Sequence, residues 1–280
     1  MTAVAVMAAA TAIPMTITAE RAMTSNAIAR IDPRPIAPAR PRIDATVRLR
    51  LTRGCRERCL HCPDSALHGA PRRALSVDEV AAGLTAAFAR FEPAHTQVIV
   101  SGGEPAEHPA LLEVLALVRA WPIARLKLAS NGIRLANDAD FATHVLDAGI
   151  DQLLLSVDLA TPRTLRSRDH ALAVERLLGW LHQRVAQPRV ALNTMAFEAP
   201  LSRLTAQIDA LAALGADEVR VLRFDPSELP ATPSLTAPSD ATWRALRDWA
   251  RQDHTTTRVT CVDRQHNLAT RAERTIELSA

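Results

Sequence analysis

The chain has 280 residues, 48% of them apolar, and a formal net charge of +3 from 33 basic and 30 acidic side chains. That is enough apolar material for a sizeable core, and the mixing of charge along the chain excludes the basic footprint of a nucleic-acid or membrane-surface binder. Aromatic residues are scarce (five Phe, four Trp, no Tyr), so the core must be aliphatic, and no apolar run is long enough to span a bilayer.

Residues 1–19 are mildly apolar, but no basic segment precedes them, which reads against a secretory signal and for a cytoplasmic protein. Residues 1–44 lack sustained periodicity, and 31–43 (IDPRPIAPARPRI) are rich in Pro and Arg. Proline fixes φ and removes a backbone donor, so this stretch is expected to be a flexible arm. A strand is predicted over 47–51, where Val47, Leu49 and Leu51 alternate with Arg48 and Arg50. Ser76 and Glu79 form a capping box that opens a helix with Val77, Val80, Leu84, Phe88 and Phe91 on one face. Strands follow over 98–101, 126–130, 153–157, 190–194 and 219–224, separated by helices around 109–120, 139–148, 171–185 and 201–211, the last stopped by Gly215. A final helix begins near Ser239 and buries Trp243, Leu246 and Trp249, and 259–262 adds a last strand.

Six strands, each followed by a helix, imply a parallel sheet with right-handed crossovers, either open and doubly wound or curled into a barrel. The polar motifs decide between these, because they fall after strands one to four, at the carboxyl ends where barrel enzymes place their chemistry. The expected architecture is an α/β partial (β/α)6 barrel of TIM type. A flexible arm over 1–44 precedes a core over 45–225, and a short helix-and-strand extension over 226–280 follows it.

The loop after the first strand reads LTRGCRERCLHC, with thiols at Cys55, Cys59 and Cys62. Three clustered thiols in a reducing compartment point to metal, not to a disulfide framework. Ordinary [4Fe–4S] clusters use four thiolates, so three leave one iron open to a further ligand. A structural zinc site is the alternative, with His61 or His68 as fourth ligand, although the second doublet that zinc sites usually carry is absent from the sequence. Unliganded core thiols are a third reading, opposed by the Arg and Glu residues between them.

This segment resembles the cluster-binding loop of the radical S-adenosylmethionine (SAM) enzymes, whose signature is C-x3-C-x2-C after the first strand of a partial barrel. His61 takes the place where that family usually has an aromatic residue. Forty residues on, Gly102-Gly103-Glu104-Pro105 resembles the family's second motif at the end of strand two; the bland reading is a plain strand-to-helix turn. Ala129-Ser130-Asn131-Gly132 resembles the family's turn after strand three, and Ser156-Val-Asp158 ends strand four where the family places polar contacts to SAM. Asn131-Gly132 as a positive-φ turn and Asp158 as a helix cap are the structural alternatives. Asn193 and Thr194 end strand five, and Arg223 and Asp225 strand six, within reach of SAM or substrate; the family's glycine-rich pattern near strand five is missing.

The resemblance covers about residues 46–225. It implies one [4Fe–4S] cluster on Cys55, Cys59 and Cys62, with Gly102, Gly103, Glu104, Pro105, Ser130, Asn131, Ser156, Asp158 and Asn193 as SAM-side residues. It also implies an external reductant of flavodoxin or ferredoxin type and reductive cleavage of SAM to a 5′-deoxyadenosyl radical. That radical would abstract a hydrogen atom from a peptide or small-molecule substrate. With Cys261 the only remaining cysteine, an auxiliary cluster bound within one chain is not expected. Some epimerases of the family return a hydrogen atom from a lone C-terminal cysteine, which makes Cys261 a candidate catalytic donor; a small buried hydrophobe is the competing reading. The alternative function from a different class is a zinc-stabilised binding module without catalysis.

Overall fold

The aliphatic positions of each expected strand build one continuous sheet. The elements of the computed structural model run β1 (Ala45–Arg50), α1 (Val77–Phe88), β2 (Thr96–Ser101), α2 (Leu111–Arg119), β3 (Arg125–Ser130), α3 (Ile133–Asn137), α4 (Ala139–Asp147) and β4 (Gln152–Ser156). They continue with α5 (Arg168–His182), β5 (Arg189–Ala196), α6 (Leu201–Ala212), β6 (Glu218–Arg223), α7 (Asp240–Ala250), β7 (Arg258–Val262) and β8 (Thr275–Ser279). The structure describes residues 41–57, 59–62, 73–158, 168–228, 235–252, 257–263 and 275–279. The Pro/Arg-rich segment through residue 40 and His68 lie outside them.

The sheet has eight strands in the order β7-β6-β5-β4-β3-β2-β1-β8, and every pairing is parallel. From β1 to β6 each strand lies beside the next in sequence. A progression in one direction with right-handed crossovers puts the helices on one face, whereas a doubly wound sheet reverses direction and covers both. The fold is thus an open partial barrel, with the C-terminal extension supplying both edge strands, β7 and β8.

On the helix-packed face Val47, Leu49, Val98, Val100, Leu126, Leu128, Leu153, Leu155, Leu192 and Val219 are fully shielded from solvent and join a single core with the helices. Among the described residues the other face carries smaller separate apolar clusters, one of Ile99, Leu154 and Ala191 with Ala129 against it and one at the carboxyl ends of β5 and β6 built on Met195 and Phe224. The helices form where capping and periodicity coincide. Ser76 accepts from the Glu79 amide and Glu79 accepts from the Ser76 amide, the capping box read from the sequence. The bond from the Ser76 amide, followed by side-chain bonds from Arg73 and Ser76, holds the exposed Glu79 carboxyl below its ordinary pKa.

Two elements were not expected. The short helix α3 begins directly after Gly132, whose φ of 77° turns the chain out of β3. Strand β8 pairs with β1, and Leu278 reaches the Cα of Gly83 on α1 so closely that a Cβ there would clash with it. Among the described residues no helix is long and apolar enough to cross a membrane. Replacing the cap, Ser76→Ala, is expected to lower stability by about 1 kcal/mol, read from chemical denaturation of the anaerobic protein.

Candidate functional site at the carboxyl ends of β1 to β5

The cysteine loop leaves β1 and is docked onto the turn after β2 by backbone alone. The Leu51 amide donates to the Ser101 carbonyl at 2.9 Å, Gly103 N to Thr52 O at 2.5 Å, and Glu104 N to Gly54 O at 2.8 Å. Thr52 organises the loop's first turn, its hydroxyl accepting from Gly54 N at 2.9 Å and donating to Arg73 O at 3.2 Å. A Cβ on Gly103 would stand 2.2 Å from the Gly54 carbonyl oxygen, and one on Gly102, at φ 146°, would stand 2.5 Å from Thr52 O. The missing side chains of the two glycines thus let the cysteine loop dock against this turn.

Glu104 is 2% exposed and is held from three sides by its own chain. Its Oε1 accepts from Ser130 Oγ at 2.7 Å and Ala106 N at 3.0 Å, and its Oε2 from Asn131 N at 2.6 Å. Burial raises its pKa while those donors oppose the rise. Pro105 opens a short 3-10 turn, Pro105–Glu107, beside it, and Glu107 accepts from Arg56 N of the cysteine loop. Ser130 Oγ also accepts from Gly132 N, and Asn131 Oδ1 from Ile133 N. Thus Glu104, Ser130 and Asn131 are brought together as a strap between the ends of β2 and β3. The strap ends at the cysteine loop, where Asn131 Nδ2 lies 4.0 Å from Cys55 Sγ.

A second tie crosses to β4 and β5. The His61 ring, almost fully buried, places Nε2 3.7 Å from Asp158 Oδ2 and meets the Phe197 ring edge-on at a centroid distance of 6.0 Å. Asp158 Oδ1 accepts from Thr194 Oγ1 at 3.0 Å and Met195 N at 2.9 Å, and Gln207 on α6 donates to Thr194 Oγ1. Asp158 thus joins the cysteine loop to the end of β5. Ser156 and Asn193 lie side by side in register, and Asn193 Oδ1 is a buried acceptor without a hydrogen-bond partner, open to a donor from a bound molecule. His170 on α5 was missed by sequence reasoning; its Nε2 bonds the Asn131 carbonyl at 2.7 Å, which fixes the proton on that nitrogen because a carbonyl only accepts. No spacing pattern announces it, since the contact depends on where α5 crosses the turn after β3.

Cys261 is not part of this assembly. It lies on β7 with its side chain in the helix-packed core, Sγ 3.9 Å from the Leu246 carbonyl of α7, and burial pushes its thiol up to about 11.

A family model described as the radical SAM superfamily matches residues 49–195, more than half of the chain. The chain belongs to the radical SAM superfamily. Curated relatives include a probable GTP 3′,8-cyclase of Methanococcus maripaludis, 24% identical over 183 residues that cover 65% of this chain and 59% of that protein. A GTP 3′,8-cyclase of Stenotrophomonas maltophilia is 32% identical over 154 residues, covering 53% and 45%. The chain thus spans about three-fifths or less of the length of these relatives. Among solved structures, Streptococcus suis SuiB bound to S-adenosylmethionine superposes with a TM-score of 0.59 at 12% identity, over 79% of this chain and 50% of that one. This likeness is one of fold.

Members of this superfamily work with a [4Fe–4S] cluster and SAM, and the three-thiol donor set of this chain has the chemistry to hold the cluster. None of the four cysteines is in a disulfide; Cys59 is buried, and Cys55 and Cys62 are half-buried on the same loop. Burial, with Glu104 and Glu107 nearby, pushes the Cys55 thiol up to about 12, so iron must displace a proton to bind there. Among the described residues no three His, Cys, Asp or Glu side chains surround a single ion-sized point. His61 faces Asp158, and it is the match to the radical SAM superfamily that speaks against the non-catalytic zinc module. Glu104→Gln turns an amide N–H₂ toward a buried donor and is expected to cost about 2 kcal/mol, seen as a fall in the melting temperature of the apoprotein. Gly103→Ala should lower iron incorporation severalfold at unchanged far-UV circular dichroism.

Proposed function

We propose that this radical SAM enzyme binds its [4Fe–4S] cluster on Cys55, Cys59 and Cys62, reductively cleaves SAM, and takes a hydrogen atom from a peptide or small-metabolite substrate in the concave face of the sheet. The observation that carries the reading is the docking of the three-thiol loop, through Gly103 and Glu104, onto the carboxyl ends of the strands. When bound, the cluster and SAM supply one-electron reduction of the sulfonium and the radical that abstracts hydrogen. The chain's part is positioning and exclusion of water. The Glu104–Ser130–Asn131 strap holds the loop in one place, and Asn131 Nδ2 stands ready to donate to Cys55 Sγ.

Ser156 and Asn193 present polar atoms along the inner rim, suited to the cofactor's ribose or amino-acid end. His61, packed against Phe197 and facing Asp158, closes the loop over β4 and β5. The electron comes from an external flavodoxin or ferredoxin type of reductant. Relatives named GTP 3′,8-cyclase favour a small-molecule substrate over a peptide. The placement of Cys261 against α7 supports a packing role for it.

Anaerobically reconstituted protein should be brown with about four irons per chain, and should convert SAM to 5′-deoxyadenosine under a strong reductant. Colourless protein with one zinc would overturn the reading, and Cys59→Ala should lose both colour and turnover. Cys261→Ala should leave SAM cleavage and product formation unchanged; product lost with cleavage intact would make it the hydrogen donor after all.

A further inference from the structure

The turn after β3 meets the cysteine loop through a side-chain amide and a sulfur. Asn131 Nδ2 lies 4.0 Å from Cys55 Sγ, at the outer reach of an N–H···S hydrogen bond. An asparagine amide can present either its oxygen or its nitrogen to a neighbour, so its other contacts must decide. Here they do. Asn131 Oδ1 accepts from the Ile133 amide at 3.0 Å, closing a side-chain turn of the kind asparagine makes two residues on. A backbone N–H only donates, which leaves the NH₂ group directed at the sulfur.

The main chain of Asn131 is held as closely. Its N–H donates to Glu104 Oε2 at 2.6 Å, and its carbonyl accepts from His170 Nε2 at 2.7 Å. These anchors come from the turn after β2 and from α5, so the amide is fixed from two directions before any cluster arrives. The residue is 7% exposed, and water competes little for its donor.

A neutral thiol accepts hydrogen bonds weakly, so the contact matters most when Cys55 is a thiolate on iron. Reduction of the cluster adds negative charge to its sulfurs. A donor aimed at one of them stabilises the reduced form more than the oxidised form, and such bonds are among the factors that set the potential. The gain is greater in a partly dry site than in water. Glu104 and Glu107 stand near the same sulfur and disfavour negative charge on it, so the amide acts against them.

We infer that Asn131 is a positioning residue acting through Cys55: its side-chain amide, held by Ile133, Glu104 and His170, donates to the iron-bound thiolate and raises the cluster's reduction potential. The inference rests on the proposed ligation of the cluster by Cys55. In this step the cluster gains one electron from the external reductant, and the amide keeps both its protons.

Reconstituted enzyme without SAM is titrated with reductant and followed by electron paramagnetic resonance, with iron measured on every sample. Asn131→Ala removes the donor and keeps both main-chain bonds. It should shift the one-electron equilibrium about tenfold toward the oxidised cluster, or about 59 mV lower in potential. Asn131→Asp keeps an acceptor for Ile133 N but sets an anion beside the sulfur, and should lower the potential further. A purely structural role for the turn predicts the opposite order, with Asn131→Asp nearest the wild type. A second measurement needs no variant: with isotope-labelled nitrogen in the asparagine side chains, the reduced wild-type cluster should show a weak hyperfine coupling to it.

An unchanged potential in iron-loaded Asn131→Ala overturns the inference and leaves the cluster assignment standing. Absence of the coupling in iron-loaded wild type does the same, even where neither variant takes up iron. Wild-type protein that takes up no iron brings down the assignment, and the inference with it.

Discussion

The site depends on one close approach, the backbone of residues 52–54 lying against Gly102 and Gly103. Side chains cannot enter that contact, because even a Cβ on Gly103 would overlap the Gly54 carbonyl. Backbone hydrogen bonds then fix the cysteine loop to the sheet as firmly as a strand is fixed to its neighbour. A loop anchored in this way presents its three thiols from a defined base, which a cluster ligated by only three residues requires. The next residue, Glu104, extends the anchor inward. Its carboxylate is buried at a desolvation cost, and Ser130 Oγ, Asn131 N and Ala106 N offset that cost by their hydrogen bonds.

The sheet makes this arrangement possible by progressing in one direction. With β1 to β6 in sequence order and the helices on one face, the other face stays open for chemistry, and the turns after β1, β2, β3 and β4 gather at one end. The helix-packed face is close to pure aliphatic, and the inner face alternates with it, mixing polar residues with smaller apolar clusters. The same period-two alternation that builds the strands therefore also separates stability from function. A residue's parity on its strand says which task it serves. Cys261 illustrates this: its parity sends it into the core against α7, whereas Thr260 beside it stands on the inner face.

His61 and Asp158 add a second anchor on the far side of the loop. Two anchors, one at β2–β3 and one at β4–β5, span the mouth of the sheet, so the loop between them is tied at both ends. Asp158 accepts from Thr194 and Met195 and faces His61, and its place in the hydrogen-bond network is set by the protein itself.

The amino-acid sequence by itself determined the element order, the capping of α1, the aliphatic core and the three-thiol loop ahead of a GGEP turn. All of these are local, written in periodicities and short spacings. Strand β8 was illegible because a five-residue segment gains its stability from the edge of β1, a partner more than two hundred residues away in the chain. The contacts of Gly103, Glu104 and Asp158 were decided only by tertiary structure: which donors surround a buried carboxylate, and which backbone lies beside a glycine, follow from how distant turns meet.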